Sequence, residues 1–232
     1  ARACTRARHG LKSLVRGYQV HGTTVLSIRT ESDMEAYPSD ELGCAPARSP
    51  AAADGVLAET DGHATCVPGI GVMVLAADCL PVAIGSEHGV AVVHAGWRGL
   101  AAGVVEEGVR ALLRLQADAG GAGSASYDRA GEGAAGRGGD QEIAAIVGPG
   151  AGPCCYEVGE EVHAAFGDAH RDGRHIDLKA IARERLTAAG VGDVHDVDLC
   201  TICDERFFSY RREGSAAGRQ AAIAWLAGEF LG

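Results

Sequence analysis

Four apolar residues, Val90-Ala91-Val92-Val93, run directly into His94, and Ala95-Gly96-Trp97-Arg98-Gly99 follows before an amphipathic stretch at residues 100–115. A continuous apolar run of this kind reads as a buried strand, and the glycine-flanked Trp-Arg pair reads as a turn before a helix. Any fold of this chain must therefore bring an imidazole to a strand end beside a helix start. A second apolar run, residues 72–77, ends in Asp78-Cys79-Leu80-Pro81, which puts a thiol and an imidazole at the ends of neighbouring strands. A cysteine after an apolar run is ordinarily a small core residue, and a histidine at a strand end is ordinarily a hydrogen-bonded part of the scaffold. Together they suggest a zinc site or a nucleophile pair. Tyr18-Gln19-Val20-His21-Gly22 sets another histidine at a glycine turn, ahead of the strand-like run Thr23-Thr24-Val25-Leu26-Ser27-Ile28.

These segments, with two more, carry a resemblance. Gln19-Val20-His21-Gly22, Ala77-Asp78-Cys79-Leu80-Pro81, His94-Ala95-Gly96-Trp97-Arg98-Gly99, the block from Gly148-Pro149-Gly150 through Cys154-Cys155-Tyr156-Glu157-Val158-Gly159, and Cys200-Thr201 followed by Phe207-Phe208-Ser209-Tyr210-Arg211-Arg212 occur in one order along nearly the whole chain. The chain resembles the polyphenol oxidase or laccase-domain family, also called peptidoglycan editing factors and purine nucleoside phosphorylases. The resemblance implies one zinc ion bound by His21, Cys79 and His94. It also implies phosphorolysis of adenosine, inosine or methylthioadenosine to base and ribose 1-phosphate, and hydrolytic deamination of adenosine. The fold it implies is α+β, mixed sheets layered with helices, similar to the fold shared with cytotoxic necrotizing factor. Spacing alone supports only α and β elements in one domain. Relatives usually carry a Thr-Arg-x-Gly-Gly segment well ahead of Gln-Val-His-Gly, with an arginine facing the site. Thr5-Arg6-Ala7-Arg8-His9-Gly10 lies too close to His21 and lacks the glycine pair, so that role is not carried onto Arg6 or Arg8.

The chemistry of the donor set agrees with the resemblance. Two imidazoles and a thiolate leave a fourth zinc position for water or substrate, the mark of a catalytic rather than a structural metal. Zinc suits deamination by lowering the pKa of water toward 7, and suits phosphorolysis by orienting phosphate. Asp78, next to Cys79, is a candidate proton carrier or a partner that orients the site, or else a turn-former; Arg98, beside Trp97, is a candidate for anion positioning. Arg211 and Arg212 either join it or sit in a solvated turn. A rival mechanism uses Cys79 as a thiolate nucleophile with His94 as base, editing peptidoglycan precursors. A third reading is a zinc-stabilised binding protein without turnover. Cys154-Cys155 with Cys200-x-x-Cys203 offers four sulfurs, but adjacent cysteines do not easily point at one metal, so these are expected to be reduced core or pocket thiols. A multicopper oxidase needs on the order of ten imidazoles. This chain has nine histidines and no His-x-His, which argues against laccase chemistry.

The 232 residues, 47% of them hydrophobic, can bury one sizeable core and are read as a single domain. A net charge of −10 argues against nucleic-acid binding, while leaving room for a local cluster that takes small anions such as phosphate. No apolar stretch is long enough to span a membrane, no signal core is evident, and eight cysteines outside a small-domain framework suit a reducing cytoplasm. The expected partners are a purine nucleoside and phosphate, the expected state a monomer or homodimer. Residues 36–54, with three prolines, read as a surface loop, and glycine-rich 117–141 as a flexible insertion. Elsewhere, residues 142–147 read as a buried strand and 157–166 as helical. Asp177 reads as a helix cap with Gly190 as the stop, and 194–199 as a half-buried strand; 221–226 is open between helix and strand.

Overall fold

A computed structural model describes residues 11–36, 58–119, 142–168 and 170–227. In chain order it contains β1 (Ser13–Val15), β2 (Val25–Ile28), β3 (Gly62–Thr65), β4 (Ile70–Ala76), β5 (Leu80–Ser86), β6 (Gly89–Ala95), α1 (Trp97–Ala102), α2 (Val104–Ala119), β7 (Ala144–Val147), α3 (Glu160–Phe166), β8 (Arg171–Asp172), β9 (His175–Ile176), α4 (Leu178–Ala188), β10 (Asp193–Asp196), α5 (Tyr210–Glu213) and β11 (Gln220–Trp225). Six strands form one sheet in the order β10-β7-β5-β6-β3-β2, and three form a second, β1-β4-β11; β8 and β9 make a small ribbon. Both larger sheets are mixed: β10 with β7, β2 with β3 and β1 with β4 are parallel, and the remaining pairs are antiparallel. The expected α+β architecture of mixed sheets with helices is therefore what forms. No helix among the described residues is long and apolar enough to cross a membrane.

The apolar run before His94 is explained by burial on two sides. Ala91, Val93 and Ala95 join the core shared with Leu100, Val105, Val109 and Leu112 of the helices, while Val92 joins a second core with Val15, Ile70, Val72 and Val74. Successive side chains of a strand point to opposite faces, so β6 lies between a helical layer and the smaller sheet, and its residues before His94 are apolar on both faces. The same register brings Cys79 and His94 together. Leu80, the first residue of β5, pairs with Ala95, the last of β6.

Several boundaries differ from expectation. Trp97 and Arg98 are not a free turn but the first turn of α1, and the single amphipathic helix expected over residues 100–115 is two, broken at Gly103 with φ +101. The left-handed conformation there costs glycine nothing. The carbonyls of Leu100 and Ala101 at the end of α1 accept hydrogen bonds from the Arg185 guanidinium of α4, which satisfies groups a helix end leaves orphaned. Residues 221–226 resolve as strand: β11 pairs antiparallel along β4, and tertiary pairing overrides the helical preference of its alanines. Asp177 does cap α4, accepting from the Lys179 and Ala180 amides, and Gly190 follows its end at φ +93. Residues 142–147 yield β7 and 194–199 yield part of β10. The loop at 36–54 and the insertion at 117–141 lie outside the described residues, except Ala36 in a short 3-10 helix and residues 117–119, which are the last turn of α2.

Candidate active site

His21, Cys79 and His94 converge. One ligand atom from each lies within 4.8 Å of the others, and Cys79 Sγ is 3.8 Å from His21 Nε2. The two imidazole rings meet edge to face with centroids 4.8 Å apart. Metal–ligand bonds of about 2.0–2.3 Å place tetrahedral donors roughly 3.3–3.8 Å apart, so the cluster fits a single ion with small adjustment.

Each ligand is held by an identifiable device. His94 Nδ1 is 2.9 Å from Asp61 Oδ1, both groups being buried, and this leaves Nε2 as the ligating nitrogen. A carboxylate behind a ligating histidine fixes its tautomer and raises its basicity. The same carboxylate accepts the amides of Val20 (3.1 Å), His21 (2.9 Å) and Gly22 (2.7 Å). These bonds hold His21 at φ +61, a conformation that is strained for a residue with a Cβ and persists only when its surroundings impose it. Gln19 anchors the loop from the other side, with its amide both donating to the Leu75 carbonyl and accepting from the Leu75 amide of β4, each at 2.8 Å. Gly96 lets the site close: a Cβ there would lie 2.7 Å from His21 Cδ2 and 3.1 Å from Cys79 Sγ. The glycine in His-Ala-Gly-Trp-Arg-Gly is thus a requirement of close approach.

Cys79 follows Asp78, whose φ of +85 turns the chain out of β4 and into β5. Asp78 is buried and fully engaged: Oδ1 accepts from Thr201 Oγ1, Oδ2 from the Arg211 amide, and its carbonyl from the Ala151 amide, each at 2.7 Å. Burial pushes the Cys79 thiol up, but the His21 and His94 imidazoles outweigh it and bring it down to about 6. Burial likewise pushes His94 down, and Asp61 and Cys79 together raise it to about 9. For Asp61, desolvation is outweighed by His94 and by the Gly22 and Val20 amides, leaving its carboxyl below the ordinary value.

The donors face a cavity of about 510 Å³ whose lining includes Arg16, Arg98, Arg211 and Arg219 with Trp97, Tyr156 and Tyr210. Arg98 lies over its neighbour Trp97 at 4.3 Å from the ring centroid. Arg211 lies 4.8 Å over Tyr156 and donates to the Glu157 carbonyl. Arg212 turns away, donating to the carbonyls of Thr201, Ile202 and Phe207 and to Glu213, so of the paired arginines only Arg211 serves the cavity. Sequence reasoning missed Asp61, Arg16, Arg219 and Tyr156. Asp61 sits in Thr60-Asp61-Gly62, which reads as a turn signal, and only the fold shows what it faces.

The one other cluster of potential ligands among the described residues is Cys154, Cys155, Cys200 and Cys203. The expectation that adjacent cysteines would diverge is corrected here. Gly150 and Cys200 form a parallel bridge that draws the two turns together, and helices α3 and α4 lie in the excursion between them.

A mixed α+β scaffold that presents an imidazole and a thiol at strand ends and a second imidazole on a pinned loop, open to an arginine-lined cavity, defines a candidate metalloenzyme. The chain belongs to the family described as multi-copper polyphenol oxidoreductase laccase, which it matches over residues 1–122 and 133–227. It is 38% identical over 182 residues to a Xylella fastidiosa protein named purine nucleoside phosphorylase, covering 72% of this chain and 60% of that one. It is 35% identical over 223 residues to a Pseudomonas aeruginosa protein of the same name, covering 90% and 72%. Among solved structures, a Neisseria meningitidis DUF152 protein is similar with a TM-score of 0.68 and 27% identity, covering 98% of this chain and 80% of that chain. YlmD from Geobacillus stearothermophilus is similar with a TM-score of 0.68 and 26% identity, covering 98% and 78%.

Proposed function

We propose that this chain is a zinc-dependent purine nucleoside phosphorylase, acting on adenosine, inosine or methylthioadenosine, that also deaminates adenosine. The observation that carries this reading is the three-donor cluster of His21, Cys79 and His94 opening onto a cavity that combines cations with aromatic faces. The names of its relatives supply the purine substrate class. When bound, zinc supplies Lewis acidity toward a water or a phosphate oxygen. Arg98 and Arg211 then hold the anion and offset charge that builds as the glycosidic bond opens, and Tyr156 and Tyr210 offer faces against which a purine can stack. Asp61 keeps His94 in its ligating tautomer. Asp78, whose carboxylate oxygens each already accept a donor, acts by positioning Cys79 and Arg211 rather than by carrying a proton. This reading takes residues 1–232 as one domain with 117–141 as an insertion. It assumes a cytoplasmic monomer or homodimer.

Laccase chemistry is disfavoured because, among the described residues, only His21 and His94 bring imidazoles to a common ligand cluster. A second reading, hydrolysis by Cys79 with His94 as base, is favoured by their proximity, with the thiol held below and the imidazole above their ordinary values. One sulfur does not serve as metal ligand and free nucleophile together, so the two readings separate cleanly. The test is metal analysis of the purified chain with product analysis on adenosine, with and without phosphate. Zinc at the site, adenine and ribose 1-phosphate with phosphate, and inosine without it are expected. Turnover that survives complete zinc removal and is lost on alkylating Cys79 would sink the proposal in favour of the thiol mechanism.

A further inference from the structure

The second cluster has a geometry of its own. Cys154 and Cys155 leave the turn after Gly152-Pro153, and Cys200 and Cys203 span the turn Cys200-Thr201-Ile202-Cys203. All four sulfurs lie within 4.8 Å of one another, with Cys154 Sγ and Cys203 Sγ 3.7 Å apart. A tetrahedron of thiolates at the zinc–sulfur bond length of about 2.3 Å has edges of about 3.8 Å. A redox dithiol would need only two close sulfurs, whereas here four are mutually in reach.

The surrounding backbone is arranged for the sulfurs. The Gly152 amide donates to Cys200 Sγ at 3.3 Å, the kind of contact that supports a metal-bound thiolate. A Cβ on Gly152 would lie 3.1 Å from Cys200 Cβ and within 3.5 Å of the sulfurs of Cys200 and Cys154, so the two turns approach this closely only because glycine is there. The turns are stitched by the Thr201 amide to the Gly150 carbonyl (3.0 Å) and the Gly150 amide to the Leu199 carbonyl (3.2 Å). Cys154 and Cys203 are exposed, which gives an ion a path in, and each of the four cysteines is a free thiol.

We propose that Cys154, Cys155, Cys200 and Cys203 bind a second zinc ion in a closed, structural four-thiolate site. Four protein ligands leave no position for substrate, so the ion stabilises rather than reacts. What it stabilises is the support of the active site: Ala151 and Thr201, on the two turns it joins, are the residues that bond the carbonyl and the carboxylate of Asp78.

The test is zinc counted per chain in the full-length protein, purified under reducing conditions. Two equivalents are expected in the wild type, one in Cys203→Ser, one in Cys79→Ser, and none in the double variant. Should Cys203→Ser fail to fold, Cys79→Ser loaded with cobalt decides the matter. It retains the intense sulfur-to-cobalt absorption of a tetrahedral thiolate site if the second site exists, and shows none if it does not. A wild type whose only zinc disappears in Cys79→Ser, a disulfide among the four cysteines, or iron in place of zinc overturns the proposal. Because Cys79→Ser removes only the first site, failure of the active-site reading and failure of this one give different counts.

Discussion

Cys79 and His94 stand at strand ends locked into the larger sheet and His21 on a loop pinned by Asp61, whereas Cys154, Cys155, Cys200 and Cys203 all come from turns joined by a single-residue bridge. The first cluster is backed by a buried carboxylate, Asp61, that bonds one ligand ring and the loop carrying another. The second is backed by backbone amides at Cys200 Sγ, that of Gly152 at 3.3 Å among them, and leaves Cys154 and Cys203 exposed. A site that must keep an open coordination position needs its ligands fixed by the fold, because the ion itself will not complete the geometry. A closed site can let the ion organise the ligands. Thr201 joins the two, lying beside Cys200 in sequence and on Asp78 in space.

The largest effect expected from breaking this contrast is Cys79→Ser. A neutral hydroxyl replaces a thiolate poorly, so the active-site zinc should be lost and turnover of adenosine should fall on the order of 1000-fold, about 4 kcal/mol of transition-state stabilisation. Metal analysis and steady-state kinetics on the same preparation check both. Normal turnover with zinc intact would show the ligand assignment to be wrong.

Next comes Asp61→Asn, which keeps the shape but removes the charge opposite His94 and can place an amino group where the backbone amides of residues 20–22 need an acceptor. Loss of a carboxylate behind a ligating histidine typically weakens metal affinity about 10–100-fold. Competition against a zinc chelator should read that loss at the first site while leaving any thiolate-bound zinc in place. An unchanged affinity would remove Asp61 from the site's support.

Asp61 also marks the limit of what the amino-acid sequence displays. The buried run before His94, the glycine turn after His21 and the cap at Asp177 are local patterns, and each produced the expected element. Asp61 acts on a loop 40 positions away in the chain, and nothing in Thr60-Asp61-Gly62 distinguishes it from an ordinary turn aspartate. The four cysteines are the same case in reverse: their types are plain, but their convergence depends on the parallel bridge from Gly150 to Cys200 and on a glycine at 152, which are tertiary facts. The split of the helix at Gly103 was hidden for a different reason, since a glycine within an amphipathic pattern is compatible with an unbroken helix as well as with a break.

Arg98→Ala should have a smaller effect. The guanidinium is exposed at the cavity and bonded to no ligand residue, lying instead over Trp97. Zinc content should be unchanged and kcat/KM should drop about tenfold, about 1.4 kcal/mol. A larger part of the loss should appear when phosphate is the co-substrate. Equal activity with and without the arginine would leave anion positioning to Arg16, Arg211 and Arg219.

The smallest effect tests whether the two clusters are coupled. Thr201→Val keeps shape and β-branching but removes the hydroxyl that donates to Asp78 Oδ1 at 2.7 Å in a fully buried setting. One oxygen of a buried carboxylate is left without that donor, which costs roughly 1–3 kcal/mol of stability, or a few degrees in Tm for a chain of this size. The sulfurs are untouched, so zinc at the cysteine cluster should remain. Turnover should fall only a few-fold, because Asp78 still accepts from the Arg211 amide and its carbonyl still bonds the Ala151 amide, and these hold the φ of +85 that aims Cys79. A stability loss with no change in turnover would show that Asp78 braces the fold without tuning the active site. A few-fold loss of turnover with zinc content unchanged would show that the Thr201 hydroxyl, on the turn that carries Cys200, tunes the active site through Asp78.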